Sequence, residues 1–211
     1  MKLNETQHDA LTELINIAFG RTAAALSDLT HRRILIERPE VVVCPIAQVE
    51  EVLQGRVSER LVTVHQIFSG ALSGTAVLAF DEEGARGLVN LLVGEGTPFP
   101  DLDISSQEVL MEVGNILLST CLGILGNLLE VRLSFSIPRI HLSDLTAMLD
   151  SLSIQNEKRL HYAIIAYATF RVRGEAVTGV ILITLGVPDL DRLLKAVERW
   201  QVSYEERSID G

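Results

Sequence analysis

The sequence predicts an α/β fold with a pseudo-twofold axis, in which a sheet of about six strands carries two long helices and two halves share one core. Three observations predict it. A polar pattern is repeated at constant spacing, apolar runs follow each copy in pairs with turn residues between them, and each half closes on a helical stretch. The order helix, strand, short helix, strand, strand, helix therefore occurs twice.

The repeat comes first, because everything else is laid out around it. Asp9, Glu13, Asn16 and Pro39 are answered 99 residues later by Glu108, Glu112, Asn115 and Pro138. A second copy with the same Glu-to-Asn step and the same 22-residue gap to a proline marks an internal duplication. In a chain of 211 residues this favours a single domain of two halves, about 1–100 and 101–200. The polar tail 201–211 lacks apolar periodicity and is expected to fray.

Helix one is expected from Thr6 to Leu26, with Thr6 as cap and Asp9 at N3. Helix two is expected from Ser106 to about Leu129. Ser105, three residues before Glu108, reads there as a capping box, which gives Glu108 a structural reason to exist. Each helix is followed by a short strand that ends near the proline: Ile34-Leu35-Ile36 in the first half and the alternating Arg132 to Ser136 in the second. Pro39 and Pro138 have no amide hydrogen and belong at a strand end or turn, where they fix how the chain packs on its helix. Short amphipathic stretches follow, Val49 to Leu53 and Leu145 to Leu152.

The apolar runs Leu61–Phe68 and Thr75–Phe80, and Ala163–Val172 and Val177–Leu185, read as hairpins turned at Ser73-Gly74 and at Arg173-Gly174-Glu175. The closing helices are Asp81–Val93 and Pro188–Trp200. Pro188 stands where a missing amide does no harm, and Trp200 reads as a packing anchor.

Helical geometry places the repeated polar residues together. At about 100° per residue, positions i, i+4 and i+7 fall within roughly 60° of one another, so Asp9, Glu13 and Asn16 form one narrow stripe that Gly20 extends. Glu108, Glu112, Asn115 and Ser119 form the matching stripe on an otherwise apolar helix. These groups must face water or a partner, because an unpaired buried charge is costly. Asn costs roughly 0.7 kcal/mol in a helix interior relative to Ala, and Gly114 about 1 kcal/mol.

Composition narrows the function classes. A net charge of -10 argues against nucleic acid or an anionic membrane surface as partner, since both require clustered Lys and Arg. The apolar tract 109–130 is broken by Glu112, Asn115, Asn127 and Glu130, and is expected to fail as a membrane span. The N-terminal residues carry no apolar signal core, so a cytoplasmic protein is the consistent reading. Cys44 and Cys121 form neither a metal-ligand spacing nor a disulfide framework, and Cys121 reads as a small core residue. There is no Gly-rich phosphate loop, zinc-binding histidine pair or nucleophile-elbow Ser. The five histidines (His8, His31, His65, His141 and His161) are scattered, and only His8 stands beside a stripe.

What remains is an amide and a carboxylate on the outer face of a helix, in duplicate. An amide is neither a general base nor a nucleophile, so the pair cannot hydrolyse much alone. It can complete a site on another protein. Phosphoryl transfer to water is mainly positioning and electrostatics, and a side-chain amide can orient the attacking water in line.

The string Asp9-x3-Glu13-x2-Asn16-x22-Pro39, with Gly20 and the run Ala24-Ala25-Leu26-Ser27 after it, resembles the signature of the CheC family of chemotaxis response-regulator phosphatases. Glu112-Val113-Gly114-Asn115-Ile116 with Pro138 resembles that family's second site. Ile15 and Glu108 depart from the residues usual there. The resemblance implies that Asn16 and Asn115 orient water against the phosphoaspartate of a CheY-like response regulator. Glu13 and Glu112, poor neighbours for a phosphoryl group, would pair with the regulator's active-site Lys. Asp9 and Glu108, one turn earlier, are second-tier candidates. The chain is expected to need no cofactor of its own, with magnesium contributed by the regulator. The rival expectation is a non-catalytic adaptor that binds the regulator, or a CheD-type receptor deamidase, without turnover. Family relatives with a flagellar-switch domain are expected to fit less well, since no second domain follows the duplication.

Overall fold

The computed structural model describes residues 3–93, 104–154, 161–172 and 175–209. In the first half the order is α1 (Glu5–Thr30), β1 (Ile34–Ile36), β2 (Glu40–Pro45), α2 (Val49–Leu53), β3 (Arg60–Gly70), β4 (Gly74–Asp81) and α3 (Glu82–Val93). The second half follows the same order: α4 (Ile104–Leu128), β5 (Leu133–Phe135), β6 (Arg139–Asp144), α5 (Leu145–Ile154), β7 (His161–Val172), β8 (Glu175–Gly186) and α6 (Val187–Ile209).

The sheet is antiparallel and runs β1-β7-β8-β4-β3-β5, with β2 also on β7 and β6 also on β3. It thus has six ranks but eight strands, because each outer rank is two short strands. Pro39 and Pro138 stand directly before β2 and β6, where a residue without an amide hydrogen interrupts the ladder. The expectation of one strand per half ending near the proline misses β2 and β6. The chain resumes pairing on the same neighbour after the break.

Strands are exchanged reciprocally between the halves. β1 and β2 pair with β7, β5 and β6 pair with β3, and β4 pairs with β8 at the centre. The registers match position by position. Ile36 faces Phe170 as Phe135 faces Phe68, and Val41 faces Ala166 as Ile140 faces Val64. On that correspondence Val64 answers to Ala166, and Gln66 to Ala168. The helix ends correspond too: His31, which caps α1, and Glu130, just beyond α4, both take the left-handed conformation, with φ of 53° and 55°.

One face of the sheet is covered by α1, α3, α4 and α6 over the larger core, which includes Leu14, Phe19, Phe68, Leu78, Leu117, Phe170 and Leu194. The other face carries a smaller cluster in which Val49 and Leu53 of α2 and Met148 and Leu152 of α5 meet Val77, Ile165 and Leu182. Between α4 and β3 the contact is tight. A Cβ on Gly114 would lie 2.7 Å from Val64 Cγ1. The corresponding pair is Ile15 and Ala166, both buried in the same core, so volume removed from the helix in one half is removed from the strand in the other.

By length and composition alone α4 is apolar enough to cross a membrane, contrary to the expectation drawn from its polar interruptions. Its apolar positions Leu110, Leu117, Leu118, Cys121 and Leu122 are buried in the larger core. Burial raises the Cys121 thiol to about 12, so it acts as an inert core residue.

Element ends differ from expectation. The cap of α1 is Asn4, not Thr6: Gln7 N donates to Asn4 Oδ1 at 2.8 Å and Asn4 N donates to Gln7 Oε1 at 3.0 Å. Ser105 lies inside α4, so the Ser105–Glu108 capping box is not the start of that helix. The first hairpin turns at 71–73, with Gly74 opening β4, while Arg173-Gly174 lies outside the described residues. α6 continues to Ile209, so most of the expected frayed tail is helical.

Candidate functional site

Both polar stripes lie on the solvent edge of helices whose other faces enter the core. On α1, Leu11, Leu14, Ile15 and Ala18 are buried, Asp9 and Gly20 are exposed, and Glu13 and Asn16 are half-buried. On α4, Leu110, Gly114, Leu117 and Leu118 are buried, Glu108 and Glu112 are exposed, and Asn115 and Ser119 are half-buried. The apolar i, i+3, i+4, i+7 set fixes this rotation, and the polar residues take the remaining arc. Among the described residues, no side-chain hydrogen bond or ion pair is made by Glu13, Asn16, Glu108 or Glu112. Asp9 lies 3.8 Å from a ring nitrogen of His8, whose other nitrogen is 3.0 Å from the carbonyl of Val41. His8 thus ties α1 to β2.

Asn115 is held where Asn16 is not. Gln66 of β3 donates from Nε2 to Asn115 Oδ1 at 3.0 Å and to the carbonyl of Ser136 at 3.2 Å. Ser119 Oγ also donates to the backbone carbonyl of Asn115. Gln66 is 1% exposed, and its own Oε1 is buried without a partner among the described residues. Such an orphan costs about 1–3 kcal/mol. Sequence reasoning missed Gln66. A signal existed, because Val62, Val64 and Phe68 make the helix-facing side of β3 apolar and Gln66 alone interrupts it.

Pro39 and Pro138 are buried, and the residues before them are exposed: Arg38 in the first half, Ile137, 86% exposed, in the second. The two prolines are therefore preceded by unlike groups, a cation in one half and an apolar side chain in the other. Glu37, two residues before Pro39, forms an ion pair with Arg171 of β7, whereas its counterpart Ser136 accepts from Gln66.

The other histidines stand apart from both stripes. His65 and His141 pack edge to face on the opposite side of the sheet with ring centroids 4.7 Å apart, and Thr63 Oγ1 is 2.9 Å from His65 Nε2. Burial, with the neighbouring His141, lowers the His65 pKa to about 4 and keeps it neutral near pH 7. Among the described residues no group of three or more His, Cys, Asp or Glu is placed to hold a metal ion.

No protein-family model matches the chain. In sequence it is similar to the flagellar motor switch phosphatase FliY of Bacillus subtilis strain 168, 26% identical over 147 residues that make up 68% of this chain and 38% of FliY. It is also similar to the CheY-P phosphatase CheC of the same organism, 27% identical over 147 residues, 66% of this chain and 68% of CheC. The chain therefore spans well under half the length of one curated relative and about two thirds of the other. In fold it is similar to Thermotoga maritima FliY, with a TM-score of 0.74 at 19% identity over 95% of this chain and 100% of that one. The FliM middle domain of H. pylori follows at a TM-score of 0.62 and 13% identity, over 92% and 99% of the two chains. Flagellar-switch proteins, expected to fit less well, are thus among the matches. With curated relatives named CheC and FliY and the fold of FliY, the chain resembles the CheC family, as its two Glu-x-x-Asn motifs imply.

Proposed function

We propose that this chain is a chemotaxis phosphatase that hydrolyses the aspartyl phosphate of a CheY-like response regulator through two sites, one on α1 and one on α4. The observation that carries the reading is the pair of helices, each presenting a half-buried Asn one turn from a carboxylate on a solvent-facing stripe. The names of the two curated relatives support it.

In this reading Asn16 or Asn115 enters the regulator's acid pocket and aligns a water with the phosphorus atom. The water oxygen bonds to phosphorus as the bond to the aspartate oxygen breaks, releasing inorganic phosphate and a free carboxylate. Positioning is the chain's contribution, since aligning a reactant replaces a bimolecular encounter with a set geometry. Glu13 or Glu112 accepts a charge-assisted hydrogen bond from the regulator's Lys, which orients the docked pair. Asp9 and Glu108 extend the acidic face one turn toward the helix start, where a carboxylate also suits the dipole. Magnesium belongs to the regulator, and the protein works in the cytoplasm.

The test is phosphate release from a panel of phosphorylated regulators at substoichiometric protein. Multiple turnovers lost in Asn16→Ala/Asn115→Ala support the phosphatase. An adaptor for a regulator or a CheD-type deamidase would bind one for one and leave the phosphoregulator's lifetime unchanged.

A further inference from the structure

We infer that Gln66 is a positioning residue for Asn115, so that the α4 site is oriented before a regulator arrives while the α1 site becomes oriented only on binding. The inference rests on the reading of Asn115 as a water-orienting amide. The geometry fixes more than the presence of a contact. The carbonyl of Ser136 can only accept, so the end of Gln66 that reaches it is the amide nitrogen, and the same nitrogen meets Asn115. The group of Asn115 facing Gln66 is therefore its oxygen. Both Nδ2 hydrogens and the second lone pair of Oδ1 are left for water and phosphoryl oxygens.

Three features argue that this arrangement is more than packing. Gln66 interrupts an otherwise apolar face and leaves its own Oε1 without a partner among the described residues, at a cost in stability that an apolar side chain would avoid. The corresponding position in the other half is the buried Ala168, so the fold itself does not require a polar residue there. Gly114, adjacent to Asn115, lets α4 approach Val64, two residues from Gln66; Ile15 occupies the corresponding place on α1. Asn16 accordingly makes no side-chain hydrogen bond among the described residues. An amide held in one orientation reaches its aligned state without an ordering step, and this raises kcat rather than affinity.

Two measurements test the inference. In the wild-type protein, the side-chain amide of Asn115 should be well ordered by nuclear magnetic resonance relaxation and that of Asn16 mobile; equal mobility overturns the inference without any substitution. Gln66→Met, which keeps length and apolar packing but removes the donor, should then free the Asn115 amide. In the Asn16→Ala background, where only the α4 site remains, it should lower kcat about five- to tenfold with KM for the phosphoregulator unchanged, the loss of one aligned hydrogen bond. In the Asn115→Ala background, where only the α1 site remains, Gln66→Met should leave kcat unchanged. An equal fall in that background, or a change in KM alone, would show Gln66 to be structural and overturn the inference. Should Asn115 lose its order in Gln66→Met while the wild type turns over no regulator, the positioning contact stands and the phosphatase reading fails.

Discussion

Asn16 and Asn115 occupy corresponding places on helices that pack on the same sheet in the same way, yet their surroundings differ at almost every neighbouring position. Asn115 is bonded to Gln66 and preceded by Gly114, which sits against Val64. Asn16 has Ala168 in place of Gln66, and Ile15 with Ala166 in place of Gly114 with Val64. Before the two prolines, Arg38 stands where Ile137 stands. The difference teaches that the repeat holds the solvent-facing stripe residues in common while the layer beneath them changes. That layer can diverge in both packing and hydrogen bonding without changing how the two helices seat on the sheet.

The comparison breaks first if the two amides are not the working groups. Asn16→Ala/Asn115→Ala should abolish accelerated dephosphorylation with an unchanged circular dichroism spectrum, because each replaces a half-buried surface amide; each single variant should retain part of the rate. Wild-type turnover in the double variant would remove both assignments. Next, Glu13→Lys/Glu112→Lys should weaken binding to the regulator about 10- to 100-fold at low salt, as like charges meet at close range. An affinity that does not change across a salt titration would make these carboxylates solvated surface only.

The packing exchange gives a smaller and separate effect. Gly114→Ala would place a methyl 2.7 Å from Val64 Cγ1 and should destabilise the protein by about 2–3 kcal/mol in urea unfolding. Adding Val64→Ala, which imitates Ala166, should recover part of that loss, so the double variant costs less than the sum of the singles. Additive losses would mean that the two halves do not trade volume at this contact.

The smallest effect concerns the opposite face, where His65 and His141 answer to Tyr167 and Val42. His65 titrates near 4 in the fold and near 6.5 in the unfolded chain, so the unfolded state binds more protons between those values. Its neutral form stabilises the fold fully above about pH 6.5, and that contribution is lost as the pH falls toward 4. The loss should be on the order of 2 kcal/mol near pH 5. His65→Gln should flatten this part of the stability profile, measured as urea midpoints between pH 7 and pH 4.5. An unchanged slope would place the acid sensitivity elsewhere.

Much of the fold was legible because its periodicities are local. The interval of 99 residues, the 3.6-residue apolar rhythm around Asn16 and Asn115, and the alternation of the long strands are statements about neighbours in the chain. They determined two long helices with outward polar stripes, two hairpins, the prolines at strand breaks and the candidate residues Glu13, Asn16, Glu112 and Asn115. Tertiary structure alone decided what depends on distant partners. β2 carries Val41-Val42-Val43, which favour an extended chain, but that β2 and β6 resume pairing on β7 and β3 beyond the prolines depends on those distant strands. The bond between Gln66 and Asn115 joins residues 49 apart, and only the close approach permitted at Gly114 brings them into reach. A sequence records which groups lie along one helix face; which amide stands beneath it is fixed by how the helix seats on the sheet.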